Sequence, residues 1–313
     1  MPVLYVVLPC YNEKEVLPET VHRLSKKLED LINKGVIDHK SRMLLVDDGS
    51  KDITWQLIEE YHEQNELVCG LKLAHNRGHQ KALYAGLMTA KEHADCVISM
   101  DADLQDDINV IDGFLEKFAD GCDVVFGVRS KRDTDTAFKR LTAEGYYKVL
   151  DTMGVDVVFN HADCRLMSRR ALCELGRYRE VNLFLRGMVK DLGFKSDVVY
   201  YERAERFAGE SKYPLKKMLM LAWDGITSFS VSPLKLITTL GAVISILALL
   251  GMVAGVVLAV CSLPCSLCFI LSSVWLACGI VLIALGIVAS YVGKLYVEVK
   301  DRPRYASEKT LIK

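Results

Sequence analysis

The segment Asp101-Ala-Asp-Leu-Gln-Asp-Asp107 carries the most specific chemistry in the chain. Asp101 and Asp103 stand two residues apart, and Gln105 adds an amide oxygen two residues further on. Hard oxygen donors of this kind suit Mg²⁺ or Mn²⁺, which keeps positions open for phosphate oxygens. The segment directly follows the apolar run Cys96–Met100, which places it at the end of a strand. Its spacing excludes an EF-hand: the sixth position would be Asp106 where Gly is needed, and the twelfth Asp112 where Glu is needed. A solvated acidic turn is the plain alternative, and the neighbouring motifs weigh against it.

Two more polar clusters close apolar runs. Pro9-Cys-Tyr-Asn-Glu13 follows Val3–Leu8, and Asp47-Asp48-Gly49-Ser50 follows Met43–Val46. Alone, each reads as an ordinary turn, with Ser50 and Asp52 as helix caps. Together they bring acceptors and an aromatic ring to adjacent strand ends, where the carboxylates could take base or ribose hydrogens. No GxGxxG follows a strand and no GxxxxGK[ST] occurs, which argues against a nicotinamide cofactor and against a P-loop. His75 and His79 are four apart, but Gly78 interrupts the helical face, so both read as ordinary polar residues.

The elements that must position these clusters follow from hydrophobic periodicity. Val3–Leu8, Met43–Val46, Leu67–Leu73, Cys96–Met100 and Asp123–Gly127 read as buried strands. Glu15–Ile32, Asp52–Tyr61, His79–Lys91 and Ile108–Phe118 read as amphipathic helices between them. This alternation predicts an α/β domain with a mostly parallel sheet covered on both faces. In such sheets the ligand site lies beyond the carboxyl ends of the strands, where the polar clusters fall.

The C-terminal third has another character. From Leu236 to Gly293 there are 58 consecutive residues without a charge. That length predicts two membrane spans, near 236–260 and 267–293, with the turn at Cys261-Ser-Leu-Pro-Cys-Ser266. Residues 213–235 read as an amphipathic juxtamembrane helix, with Leu215, Met218, Leu219, Ala222, Ile226 and Phe229 on one face. A helix packed on the globular domain is the equal alternative. Lysines and arginines flank both ends of the uncharged run, and the loop inside it has none. The expectation is therefore that a domain over 1–212 and a basic tail over 294–313 both face the cytoplasm. The strand-length apolar start at Val3–Leu8 does not read as a secretory signal. Six scattered cysteines, Cys10, Cys69, Cys96, Cys122, Cys164 and Cys173, suit a reducing compartment. Cys261, Cys265 and Cys268 lack a fourth zinc ligand nearby and read as packing residues, with a disulfide left open. A net charge of −1 without a basic platform excludes nucleic acid as a partner.

Taken in order, Tyr11-Asn-Glu13, Asp47-Asp-Gly-Ser50, Asn76-Arg-Gly78, Asp101-Ala-Asp-Leu-Gln105 and Gly127-Val-Arg129 resemble the Rossmann-like GT-A glycosyltransferases of family 2. Ala162-Asp-Cys-Arg-Leu-Met-Ser168, Glu205-Arg-Phe-Ala-Gly-Glu-Ser-Lys-Tyr213 and the apolar hairpin narrow the resemblance. They are similar to the polyprenyl-phosphate (bactoprenol) glucosyltransferases, relatives of dolichol-phosphate mannose synthase. The resemblance implies inverting transfer of a hexose, glucose first, from a UDP-sugar to undecaprenyl phosphate. The alternatives are the same chemistry with GlcNAc, GalNAc, galactose, mannose or aminoarabinose, then a processive polysaccharide synthase or a non-catalytic membrane scaffold. The absence of a Gln-x-x-Arg-Trp segment argues against the synthase.

The resemblance also implies roles. Asp101, Asp103 and Gln105 are metal and diphosphate ligands. Pro9, Tyr11, Glu13, Asp47, Asp48 and Asp101 form the nucleotide pocket. Arg129, Arg140, Arg206 and Lys212 hold the acceptor phosphate, although Arg129 and Arg206 could instead pair with acids. Asp103 and Asp163 are the catalytic candidates, the latter with no role fixed. A homo-oligomer, tetrameric in relatives, is implied as well.

Overall fold

The protein is represented by a computed structural model that describes residues 1–129, 161–180, 183–202, 239 and 267–313. An eight-stranded sheet forms its centre. The strands are β1 (Leu4–Cys10), β2 (Arg42–Asp47), β3 (Val68–Leu73), β4 (Cys96–Ser99), β5 (Val124–Arg129), β6 (His161–Ser168), β7 (Ser196–Tyr201) and β8 (Ser307–Leu311). Their order across the sheet is β7-β5-β6-β4-β1-β2-β3-β8. The helices are α1 (Leu17–Asn33), α2 (Thr54–Gln64), α3 (His79–Ala90), α4 (Val110–Ala119), α5 (Arg169–Leu175), α6 (Leu185–Asp191) and α7 (Leu267–Val299).

β1 lies in the middle and shows why the sheet needs cover on both faces. Leu4, Val6 and Leu8 point into one core with Leu24 and Leu28 of α1, Ile58 of α2 and Phe114 of α4. Tyr5 and Val7 point the other way, against Leu83 and Leu87 of α3, Leu172 of α5 and Met188 of α6. Alternation of side chains along a strand makes both faces apolar, and each needs its own helical layer. Gly86 of α3 lies so close to β1 and β2 that a Cβ there would meet Val7 and Val46.

The five strands and four helices expected up to Gly127 are all present, displaced by at most two residues at most boundaries. The sheet is mixed. β4-β1-β2-β3 and β5-β7 pair in parallel, whereas β6 runs antiparallel to β4 and β5, and β8 antiparallel to β3. β6, β7 and β8 carry no strong sequence signal of their own. Part of the segment expected to be only a basic tail becomes β8, an edge strand held by Lys309 to Glu59 at 2.7 Å and Glu308 to Lys72 at 2.9 Å.

The juxtamembrane helix expected over 213–235 lies outside the described residues, as does the span expected over 236–260 except for Thr239. The second expected span falls inside α7, a 33-residue helix. Among the described residues no helix is long and apolar enough to cross a membrane. Many side chains in the first half of α7 are outside those residues. Further along, Val281, Leu285, Val288, Val292 and Leu295 are exposed.

Candidate active site at the carboxyl ends of the central strands

Three loops meet where β1, β2 and β4 end. The loops after β1 and β2 are sewn together by polar contacts. Asn12, at φ 53, donates its N–H to Ser50 Oγ at 3.0 Å and accepts from Lys51 N at 2.9 Å. Glu13 N donates to Thr54 Oγ1 at 3.0 Å. The acidic loop after β4 is tied to the first turn of α1, where Thr20 Oγ1 donates to Ala102 O at 2.8 Å. These contacts place the half-buried Pro9, Tyr11 and Glu13 beside the acids of the next two strand ends.

Asp47 and Asp48 are both buried. Asp47 accepts from Ser50 N at 3.2 and 3.3 Å, which closes its own turn. Asp48 takes Arg77 N on one oxygen at 2.7 Å and Gly78 N on the other at 2.9 Å. That binding explains the Asn76-Arg-Gly78 segment: its backbone amides wrap a carboxylate. Burial pushes both carboxyls above their ordinary range, although these amides pull the other way. Gly49 between the loops takes φ 66, and a Cβ there would stand 2.7 Å from Asn76 N.

Asp101 and Asp103 sit half-buried in the loop after β4. Asp103 Oδ1 accepts from Gln105 N at 3.1 Å, around the left-handed Leu104 at φ 57. β4 and β6 pair with Ser99 opposite Arg165, and that register continued by two residues brings Asp101 opposite Asp163. Ser99 Oγ, donating to Asp163 O at 2.6 Å, secures the junction. His79, the first residue of α3, lies between the two acids. Its Nε2 is buried, 3.8 Å from Asp101 and 3.6 Å from Asp163. Burial disfavours its charge, but Asp163 and Asp101 outweigh it and raise the imidazole to about 9. Burial, with Asp106, Asp163 and Asp103 nearby, lifts Asp101 to about 6 against the pull of His79. Asp163 stays well below the usual carboxylate range despite its burial, because Arg186, His79 and Arg165 surround it.

Arg129 ends β5 opposite Tyr201 of β7, and both reach Asp106. Asp106 Oδ1 accepts from Tyr201 Oη at 2.5 Å and from Arg129 Nη2 at 3.1 Å, while its Oδ2 has no hydrogen-bond partner among the described residues. Arg129, expected at the acceptor phosphate, thus has a carboxylate partner and about a fifth of its side chain exposed, 22%. Arg140, Arg206 and Lys212 lie outside the described residues.

The donor set suits a hard divalent cation. Two carboxylates and an amide oxygen on one loop leave room for phosphate oxygens, the usual arrangement for Mg²⁺. The burial and the neighbouring acids that raise Asp101 are the electrostatic condition a cation relieves. Among the described residues, no group of three or more His, Cys, Asp or Glu residues is placed to hold a metal ion by itself.

The structure brings Asp101, Asp103 and Asp163 together with three residues that sequence reasoning did not single out: His79, Arg165 and Arg186. His79 was read as an ordinary polar residue, because Gly78 interrupts the helix; Gly78 instead stands just before α3, and the histidine is that helix's first residue, beside Asp101 and Asp163. Arg165 was inside a quoted segment, and only the β4–β6 register shows that it turns inward. Arg186 had no local signal.

The chain belongs to glycosyl transferase family 2, whose family model matches residues 5–176. It is a glycosyltransferase. YkoT, an uncharacterized glycosyltransferase of Bacillus subtilis (strain 168), is 52% identical over 97% of this chain and 91% of that one. A prophage bactoprenol glucosyl transferase homolog of Escherichia coli (strain K12) is 36% identical over 96% of each chain. The SfII prophage-derived bactoprenol glucosyl transferase of Shigella flexneri is 37% identical over 97% of each.

Proposed function

We propose that this enzyme transfers glucose from UDP-glucose to a polyprenyl phosphate, with undecaprenyl phosphate the acceptor, at the cytoplasmic face of a membrane. The observation that carries the proposal is the meeting of Asp101 and Asp163 around His79 where β4 adjoins β6, with Arg165 and Arg186 on Asp163. The acceptor and the sugar are supported by relatives that bear the bactoprenol glucosyl transferase name and align end to end with this chain. The membrane hairpin is supported by the uncharged run 236–293 and by the apolar side chains that α7 exposes. The lysines and arginines that flank that run support a topology with both termini inside.

An ionised phosphate oxygen on the lipid is already a nucleophile near neutral pH, so the reaction needs little general base. It needs charge management and alignment. Asp101, Asp103 and Gln105 would hold Mg²⁺ or Mn²⁺, which supplies positive charge toward the departing diphosphate. Pro9, Tyr11 and Glu13 would hold the nucleoside beside β1, and Asp47 and Asp48 hold the neighbouring loops in shape. Arg129, with Arg140, Arg206 and Lys212, supplies cations for the acceptor phosphate. A single displacement at the anomeric carbon inverts it, so a UDP-α-sugar gives a β-linked lipid product.

The test is transfer from a panel of labelled nucleotide-sugars to undecaprenyl phosphate in detergent with Mg²⁺ or Mn²⁺. A β-linked glucosyl lipid formed from UDP-glucose is the expected product. Preference for another sugar replaces the donor, and transfer from no donor removes the proposal.

A further inference from the structure

Beyond α7 the chain turns back to the sheet domain. Asp301, at φ 42, donates its N–H to Glu298 O at 3.0 Å, and Pro303 fixes the backbone two residues on. The return is made before β8 begins. The Arg304 guanidinium stacks 4.4 Å from the centre of the Tyr84 ring of α3 and donates Nη2 to Tyr178 O. Tyr305 packs edge-on against the same ring, with centroids 6.4 Å apart. Ala306 O accepts from Ala74 N at 2.9 Å, and β8 then runs along β3.

The plain role of this tail is to cover the β3 edge, since an unpaired edge strand invites pairing with other chains. That role needs β8 alone. It gives no reason for the contacts of Arg304 and Tyr305, which fall on α3 and on the segment between α5 and α6. α3 begins with His79, beside Asp101 and Asp163. Tyr178 donates Oη to Asp191, the last residue of α6, at 2.9 Å, and α6 brings Arg186 to Asp163. The two helices are themselves joined, Leu185 N donating to Gln80 Oε1 at 3.2 Å.

The end of α7 lies close to the same place. Burial and Arg77 lower the Lys81 ammonium, while Glu298 in the last turn of α7 pulls the other way, so the helix end acts on the first turn of α3. Five residues carry the chain from Val299 to Arg304, at most about 18 Å even when fully extended. A short link therefore ties α7 to the two helices that bring His79 and Arg186 to Asp163.

We propose that residues 300–306 form a strap that fixes the site in height and orientation over a lipid surface, with Arg304 and Tyr305 as positioning residues for the acceptor. This rests on the membrane reading of α7 given above. A nucleotide-sugar reaches the site from solution whatever the domain's orientation. The phosphate of a membrane lipid is confined to one plane. A domain on a loose tether meets that plane in only a fraction of its orientations, so the strap acts on the lipid and not on the donor.

The experiment uses the full-length protein in vesicles of phosphatidylethanolamine and phosphatidylglycerol. Wild type is compared with Arg304→Ala, Arg304→Lys and a Gly-Ser insertion of about six residues between Arg302 and Pro303. The insertion keeps every contact of the strap and adds flexible reach on the order of 13 Å. Each protein receives UDP-glucose with undecaprenyl phosphate in the vesicle or with citronellyl phosphate, a short water-soluble acceptor. The insertion is expected to lower transfer to undecaprenyl phosphate roughly 10-fold, with the KM for UDP-glucose and the rate on citronellyl phosphate unchanged. Arg304→Ala should show the same split, and Arg304→Lys a smaller one because it keeps a cation for the Tyr84 ring. The proposal is overturned if the insertion lowers transfer to both acceptors alike, which makes the tail a stabiliser only, or if it lowers neither. If wild type transfers to neither acceptor, the function proposed above fails by itself. In that case, or if only one acceptor is used, the strap is judged by energy transfer from a dye on the N-terminal amine to labelled lipid headgroups. A broader distance distribution in the insertion variant supports it, and an unchanged distribution rejects it.

Discussion

The carboxylates at the end of β2 and those where β4 meets β6 are the same chemical group put to opposite use. Asp47 and Asp48 spend their oxygens on the backbone amides of Ser50, Arg77 and Gly78. Asp101 and Asp163 instead face other side chains: His79, Arg165, Arg186 and each other. A carboxylate wrapped by amides shapes a loop, with its remaining lone pairs left for a ligand. One that faces charged side chains keeps an electrostatic imbalance that a ligand can complete. The lesson is that an aspartate at a strand end is scaffold or site according to what holds its oxygens.

The largest expected effect comes from the site side of this comparison. Asp103→Ala should abolish transfer, a loss on the order of 1,000-fold or more, while thermal unfolding shifts by no more than about 1 kcal/mol. Full activity in that variant would remove the metal-binding role of the acidic loop. On the scaffold side, Gly49→Ala should cost stability first. The alanine must take a left-handed φ and place its Cβ against the backbone of Asn76. A loss of roughly 2–4 kcal/mol is expected in chemical denaturation, and a neutral result would mean the loop shifts freely.

Asp48→Asn sharpens the comparison further. It keeps one acceptor and replaces the other with a donor facing a backbone N–H, so stability should fall by about 1–2 kcal/mol. Activity measured below the unfolding temperature should change only severalfold. A loss as deep as that of Asp103→Ala would move Asp48 from scaffold to site.

The smallest effect concerns an arginine-bound carboxylate away from the cleft. Asp123 accepts from Ser168 Oγ at 2.8 Å and pairs with Arg170. Burial opposes its charge, yet Arg170 and Ser168 hold its carboxyl below the ordinary range. A depressed folded pKa contributes stability above the unfolded value of about 3.9, and that stability is lost as pH falls through the folded value. Since Arg170 is mostly exposed, Asp123→Asn should remove less than about 1 kcal/mol at neutral pH and flatten the acid limb of the stability curve. An unchanged acid limb would show that the pairing contributes nothing.

Legibility in the sequence followed locality. Leu4–Cys10 is buried nearly throughout, as its apolar run predicts, and Leu17–Asn33 buries Leu17, Val21, Leu24, Leu28 and Leu31 on one face, so most of the first half of the sheet and its helices could be read directly. The acidic segment at 101–107 was equally plain, because metal-type spacing lies within a few residues. Ser307–Leu311 was unreadable as a strand, with four of its five residues exposed. Its place depends on pairing with β3, more than 230 residues away, which no local pattern encodes. Arg186 was invisible for the same reason.

The sequence alone determined the alternation of strands and helices, the acid pair at a strand end, the long uncharged run and the family, because each is written in residues near one another along the chain. The tertiary structure alone decided which acids face charged side chains and which face backbone amides, and that His79, Arg165 and Arg186 gather on Asp163. Those outcomes depend on the antiparallel register of β6 against β4 and on where α6 docks, distances fixed by the packing of the whole sheet.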